Sequence, residues 1–291
     1  MFEGIHTALI TPFRSGQVDE EALRAHVERQ IEAGVDGVVP CGSTGESATL
    51  SHLEHRRVVE IVVDAVKGRV PVIAGTGSNS TREAIELTLH AKQAGADGSL
   101  LLSPYYNKPT QEGIYAHYAA IAEATRFPLV IYNIPGRTSS NIAPEIIARL
   151  ARLEHVVGIK EACGNVDQIA HVIAKCPQEF SVLSGDDSLT LPLLALGAKG
   201  VISTTSNVAP RQIGELVRRF QRGDVAGAQA LHYSLLPLFD VLFCETNPIP
   251  VKAAVAELGW CSPEIRLPLT RITDANLERL KVVLKDLESL R

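Results

Sequence analysis

Eight short apolar runs, each followed by a stretch of helical periodicity, predict an α/β fold: a (β/α)8 TIM barrel with a C-terminal three-helix extension. The runs are continuous rather than alternating, which suits parallel strands covered on both faces. The phrases Glu32-Ala33-Gly34-Val35-Asp36-Gly37, Gln93-Ala94-Gly95-Ala96-Asp97-Gly98 and Leu196-Gly197-Ala198-Lys199-Gly200 repeat one device, a glycine that ends a helix and a tight turn that feeds the next strand.

In chain order the apolar runs are Thr7-Ala8-Leu9-Ile10, Gly37-Val38-Val39, Val70-Pro71-Val72-Ile73-Ala74, Ser99-Leu100-Leu101-Leu102, Leu129-Val130-Ile131-Tyr132, Val156-Val157-Gly158-Ile159, Phe180-Ser181-Val182-Leu183 and Gly200-Val201-Ile202-Ser203. Between them, residues around 19–33, 51–67, 80–94 and 111–125 carry apolar positions three and four apart. Ser51 and Ser80 are candidate N-caps and Pro144 a candidate first helical residue. An open doubly wound sheet is the alternative, but no G-x-G-x-x-G turn follows the first run and the unit count matches closure. From about residue 210 the pattern is helical only, with three helices expected near 223–238, 247–258 and 273–290 after the eighth barrel helix. The chain therefore divides into a catalytic barrel, 1–222, and an extension packed on it, 223–291.

A chain of 291 residues with 45% hydrophobic and 21% charged residues is long enough to bury one large core. Its net charge of −5 gives no basic surface for nucleic acid. No apolar run approaches the ~20 residues of a membrane helix, and Met1-Phe2-Glu3-Gly4 does not open a signal peptide. The five cysteines are odd in number and without C-x-x-C spacing, which argues against a disulfide framework or zinc site and for a reducing cytoplasm.

In such a barrel the active site lies where the strands end, so the residues after each run carry the chemistry. Lys160 follows directly on the sixth run, at or just inside the barrel mouth. Desolvation there favours a neutral amine, which attacks a ketone to form an iminium; that electron sink lets a neighbouring proton leave and yields a nucleophilic enamine. The alternative is a lysine snorkelling to solvent at a strand end. Gly42-Ser43-Thr44-Gly45 can turn its backbone N–H groups toward a small carboxylate, or be an ordinary glycine-rich turn; it is not a Walker loop, since no Gly-Lys-Ser/Thr follows. Tyr132, on the strand beside Lys160, can exchange the protons of carbinolamine formation, with Thr44 and Tyr106 passing them to solvent. Each tyrosine alone is more often a packed ring with a bonded tip. Arg137 can hold a second carboxylate bidentately, or be a solvated loop arginine.

Gly42-Ser43-Thr44-Gly45-Glu46, Tyr132-Asn133-Ile134-Pro135-Gly136-Arg137-Thr138 and Gly158-Ile159-Lys160-Glu161-Ala162 together resemble the dihydrodipicolinate synthase family, in the pyruvate-dependent class I aldolases that include N-acetylneuraminate lyase. Pro104-Tyr105-Tyr106-Asn107-Lys108-Pro109 and Ser184-Gly185-Asp186-Asp187 fit it too, and the resemblance covers essentially the whole chain. It implies a Schiff base between Lys160 and pyruvate, a proton relay through Tyr132, Thr44 and Tyr106 (the last reaching a neighbouring subunit), and the pyruvate carboxylate on the backbone around Ser43 and Thr44. Arg137 would engage the carboxylate of L-aspartate-4-semialdehyde, and Gly185 and Ile202 would line the pocket through their backbones. The resemblance further implies a homotetramer and no metal or organic cofactor.

Two positions depart from the pattern: Gly136 stands where serine or another small residue is commoner, and Ser43 where threonine is. The glycine loosens the approach of Arg137 without removing its guanidinium, and Ser43 is expected to act mainly through its backbone. N-acetylneuraminate lyase or another 2-keto-acid aldolase is the alternative within the family, but members cleaving neutral sugar acids lack this arginine. A non-catalytic keto-acid-binding regulator would be expected to lose Lys160 or Tyr132. His52 and His55, three apart on a helix, suggest a metal at first, but no carboxylate or cysteine completes a set at sequence level. With Ser47, Ala48, Asn79, Glu83 and Tyr105 they resemble instead the family's L-lysine feedback site; the alternative is a surface helix with two solvated histidines.

Overall fold

The computed structural model describes residues 2–288. The chain runs β1 (Gly4–Ala8), a hairpin of β2 (Phe13–Arg14) and β3 (Gln17–Val18), α1 (Glu20–Glu32), β4 (Gly37–Val39), α2 (His52–Val66), β5 (Ile73–Gly75), α3 (Thr81–Ala94), β6 (Gly98–Leu102), α4 (Gln111–Thr125) and β7 (Leu129–Asn133). It continues through α5 (Pro135–Thr138), α6 (Pro144–Leu150), β8 (Val156–Glu161), α7 (Val166–Lys175), β9 (Ser181–Ser184), α8 (Thr190–Leu196), β10 (Gly200–Ser203) and α9 (Pro210–Gln221) to α10 (Val225–Leu242), α11 (Ile249–Glu257) and α12 (Asp274–Glu288).

Eight parallel strands lie in the order β4-β1-β10-β9-β8-β7-β6-β5. A parallel bridge between Val38 and Val72 joins the two ends, supported by Val38 N–H donating to the Pro71 carbonyl (3.0 Å) and Gly75 N–H to that of Pro40 (2.8 Å). The predicted (β/α)8 barrel is therefore the observed fold. Its helices begin as the sequence suggests: Ser51 forms a capping box with Glu54, Ser80 caps α3, and Pro144 opens α6.

Inside the barrel, Ala8, Val39, Ile73, Leu100, Val130, Tyr132, Leu183 and Ile202 form one apolar cluster, so the interior is filled rather than hollow. A second cluster joins α1 and α2 to Leu238, Phe239 and Leu242 of α10, Val251 of α11 and Leu280 of α12. The C-terminal helices thus bury their apolar faces in the same core as the barrel helices. Among the described residues, no helix is long and apolar enough to cross a membrane.

Several boundaries differ from the sequence expectation. The first strand is Gly4–Ala8, not 7–10: Gly4-Ile5-His6 is not an apolar run, but Ile5 N–H is held by the Asp36 carboxylate (2.8 Å), and any Cβ on Gly200 would strike the Gly4 carbonyl. The third strand starts at Ile73, since Pro71 lacks an N–H for the ladder. Helix α10 runs on to Leu242, past Pro237, because Leu238, Phe239 and Leu242 are buried. The β2–β3 hairpin has no counterpart among the predicted elements. The last two residues of the third extension helix as predicted, 289–290, lie outside the described residues.

Candidate active site

The sixth barrel strand, β8, extends through Glu161, so Lys160 lies within it rather than after it. Leu129 pairs with Val156 and Val130 with Gly158, which leaves Val157 as a bulge on β8. That one extra residue sets the parity of everything downstream, because slipping a strand by one residue exchanges its two faces. Lys160 then pairs with Tyr132 and Leu183, both members of the interior cluster, and faces into the barrel; Glu161 pairs with Asn133 and faces outward. Lys160 is only 5% exposed, and its Nζ lies 4.4 Å from the centroid of the Tyr132 ring. On β9's continuation, a Cβ at Gly185 would come within 3.1 Å of the Lys160 Cε and 2.7 Å of the Ala162 Cβ. Glycine there keeps room beside the amine. Ile202, fully buried on β10, belongs to the same interior cluster as Tyr132 and Leu183.

The turn after β4 is built to present amides. Gly45, Glu46 and Ser47 donate their N–H groups to the Ser43 and Gly42 carbonyls at 3.1–3.4 Å, whereas those of Ser43 and Thr44 have no partner among the described residues. Two free amides at the end of a barrel strand form an anion seat. Glu46 holds a left-handed backbone (φ 54°), and its buried carboxylate pairs with Lys252 of α11 and accepts the Arg266 N–H (3.2 Å). Thr44 Oγ1 accepts a hydrogen bond from Asn247 Nδ2 (3.0 Å) and meets Thr204 Oγ1 at 3.3 Å.

A cleft of about 460 Å³ opens over this turn. Ser43, Tyr132 and Arg137 line it, and so do Ser47, Ala48, His52, His55, Glu83 and Tyr105. Two groups expected to form separate sites therefore share one opening. Asn79 lies outside it, its carbonyl taken by Asn107 Nδ2 (2.9 Å). Tyr106 also lies outside, 88% exposed on the loop after β6. Within this chain the structure brings Lys160, Tyr132 and Gly185 together but places Tyr106 at the surface.

Around the histidines, His52 Nε2 bonds the Glu83 carboxylate at 2.8 Å, and Ser78 Oγ donates to it as well. The Ser78 hydroxyl foremost, with His52 behind it, holds the Glu83 carboxyl below its ordinary value. His55 Nε2 donates to the Gly75 carbonyl (2.7 Å), and its buried Nδ1 has no partner among the described residues. Burial lowers the pKa of His55, so the ring is a neutral acceptor.

Sequence reasoning missed Asn247, between α10 and α11. Its side chain donates to Thr44, its carbonyl accepts from Arg137 Nη2 (2.8 Å), and it lines the cleft. The only local signal was Thr246-Asn247-Pro248, which reads as a turn before a helix. Glu161 was also passed over: burial pushes its carboxyl up to about 7, although Asn133 Nδ2 (3.0 and 3.2 Å) and the Cys163 N–H (3.0 Å) bond it. Asp186 is raised by burial too, with Lys160 pulling the other way.

Comparison with known proteins agrees with this geometry. The model of the dihydrodipicolinate synthetase family matches residues 1–287. The 4-hydroxy-tetrahydrodipicolinate synthase of Syntrophus aciditrophicus is 58% identical over 286 residues, 98% of each chain. Among solved structures, the 4-hydroxy-tetrahydrodipicolinate synthase of Methylacidiphilum fumariolicum SolV superposes with a TM-score of 0.98 at 48% identity, over 99% of this chain and 97% of that one. The lysine-bound enzyme of Cyanidioschyzon merolae superposes with a TM-score of 0.96 at 42% identity, over 99% and 98%. By sequence and by fold, the chain belongs to the dihydrodipicolinate synthetase family.

Proposed function

We propose that this protein condenses pyruvate with L-aspartate-4-semialdehyde to give 4-hydroxy-tetrahydrodipicolinate and water, the first committed step toward diaminopimelate and lysine. The observation that carries this reading is the inward-facing Lys160 beside Tyr132, with Gly185 leaving space at the amine. The Lys160 amine attacks the pyruvate ketone while its carboxylate sits on the free Ser43 and Thr44 amides. Tyr132 protonates the carbinolamine hydroxyl, water leaves, and the iminium forms. Loss of a methyl proton gives the enamine, whose carbon bonds the aldehyde carbon as the aldehyde oxygen takes a proton. The semialdehyde's own amine then attacks the former ketone carbon, the bond to Lys160 breaks, and the ring closes. Arg137, whose Nη2 is anchored on the Asn247 carbonyl, holds the second carboxylate.

The same reading gives Thr44 and Tyr106 the proton relay and takes 1–222 as the catalytic barrel with 223–291 as its extension. An exposed Tyr106 suits a role across a subunit contact, in a cytoplasmic homotetramer. L-Lysine inhibits at the histidine end of the cleft, its ammonium groups facing Glu83 and the neutral His55 ring; the lysine-bound relative supports this.

Borohydride reduction with pyruvate is expected to add a pyruvyl mass to the Lys160 peptide; no adduct, or one elsewhere, defeats the mechanism. Condensation with aspartate-semialdehyde should outrun that with N-acetylmannosamine, and the reverse order would make the protein an aldolase of sugar acids. Rates indifferent to millimolar lysine would remove the inhibitor, and sedimentation as a monomer would remove the tetramer.

A further inference from the structure

On the outer face of the sheet, the rung that pairs Ile131 of β7 with Ile159 of β8 is apolar and buried in a cluster with Leu101 and Val182. Two residues further along, the same face carries Asn133 opposite Glu161, both fully buried. This rung directly follows the one that pairs Tyr132 with Lys160. Burying a carboxylate is costly, and the apolar filling used by the isoleucines would cost less. What the polar pair adds is direction.

Asn133 Oδ1 accepts the Ile142 N–H (3.1 Å), which orients the amide and turns Nδ2 to both Glu161 oxygens (3.0 and 3.2 Å). The same Nδ2 donates to Asn141 Oδ1 (3.0 Å). Glu161 Oε1 also takes the Cys163 N–H (3.0 Å), and the Glu161 carbonyl accepts the Gly185 N–H (2.7 Å). The pair thereby ties β8 to β7 beside Tyr132, to the glycine that leaves room at the amine, and to the segment after α5, the turn that carries Arg137. The register shifts at Val157 on one side of the Lys160–Tyr132 rung, and the Asn133–Glu161 clasp holds the other.

We propose that Glu161, acting through Asn133, is a positioning residue for the Schiff-base chemistry: from the outer face, without contact with substrate, it sets the Lys160 amine against the Tyr132 ring. The inference rests on the Schiff-base reading above. Misplacing a reacting group by about 1 Å costs on the order of 100-fold in rate. The pyruvate adduct is trapped with borohydride at successive times in the full-length protein, in Glu161→Gln, in Glu161→Asp and in the double variant Asn133→Leu with Glu161→Leu. Glutamine keeps an acceptor for Asn133 Nδ2 and the Cys163 N–H, whereas aspartate withdraws it by one methylene. The leucine pair fills the space without the bonds, an exchange that commonly leaves stability equal or higher. The trapping rate and kcat are expected to stay within about threefold in Glu161→Gln and to fall at least about tenfold in the other two, with the KM for pyruvate changing less than kcat. The thermal midpoint of the leucine pair should not drop; where that variant does not fold, aspartate against glutamine decides. An unaltered rate in Glu161→Asp, a loss in Glu161→Gln as large as in Glu161→Asp, or rates that fall only in step with the midpoint overturn the role. No adduct in the unaltered chain defeats the Schiff-base reading and this inference with it; an adduct there that forms as fast in Glu161→Asp defeats this inference alone.

Discussion

Lys160 and Lys252 are both nearly stripped of water, at 5% and 1% exposure, and both lie over an aromatic ring. They differ in what faces the ammonium. Lys252 pairs with the buried Glu46 carboxylate, and burial lowers its pKa while Glu46 opposes that shift. Lys160 has the Tyr132 ring and a more distant Asp186, with no ion pair or hydrogen bond among the described residues. A buried amine with a carboxylate in contact is locked as a cation and serves as a strut; one without a contact partner is free to give its lone pair to carbon. The difference lies in the partners, not in depth. The two are also linked, since Lys252 holds Glu46 in the turn whose Ser43 lines the same cleft as Tyr132, the ring beside Lys160.

The sharpest way to break this comparison is to exchange each lysine for methionine. Lys160→Met is expected to lower kcat by at least about a thousandfold and to abolish the pyruvate adduct, with the denaturation midpoint unchanged or higher, because no carboxylate loses its pair. Lys252→Met is expected to do the reverse in emphasis. Leaving Glu46 buried and unpaired costs about 3–5 kcal/mol in denaturant titrations, and adding Glu46→Gln should recover part of the loss. Equal stability losses in the two single variants would erase the distinction.

The outward neighbour of Lys160 gives the next effect. Glu161 has its carboxyl raised from an ordinary 4.5 to about 7 by burial. Between those values the folded chain binds more protons than the unfolded one, so stability is greatest below pH 4.5 from this group and falls as pH rises to about 7. The change is on the order of 3 kcal/mol. Glu161→Gln should flatten that part of the stability profile; an unaltered profile would show that the carboxylate is ionised in the fold without penalty.

The smallest expected effect tests the bridge between the regions. Asn247→Ala keeps the carbonyl that receives Arg137 but deletes the amide that holds Thr44. It should lower kcat/KM by about tenfold with little loss of stability. A change confined to the thermal midpoint would make Asn247 a structural residue only.

Much of this protein is written in consecutive residues. The alternation of apolar runs with helical periodicity gives eight units and closure, Ser51, Ser80 and Pro144 mark helix starts, and Lys160 stands at the end of the sixth run beside recognisable motifs. These are legible because a helix or a covered strand is decided within about ten residues, by side-chain period and caps. What only the tertiary structure decided joins distant parts of the chain. The Val157 bulge turns Lys160 inward through its pairing with β7. Asn247 reaches Thr44 across 203 positions, and Lys252 reaches Glu46 across 206. The cleft that unites Ser43 and Arg137 with His52 and Glu83 exists only once the loops of several strands share a rim. Such contacts have no local period to read, since they depend on where the closed sheet carries each segment, and the partners that set one buried lysine apart from the other are among them.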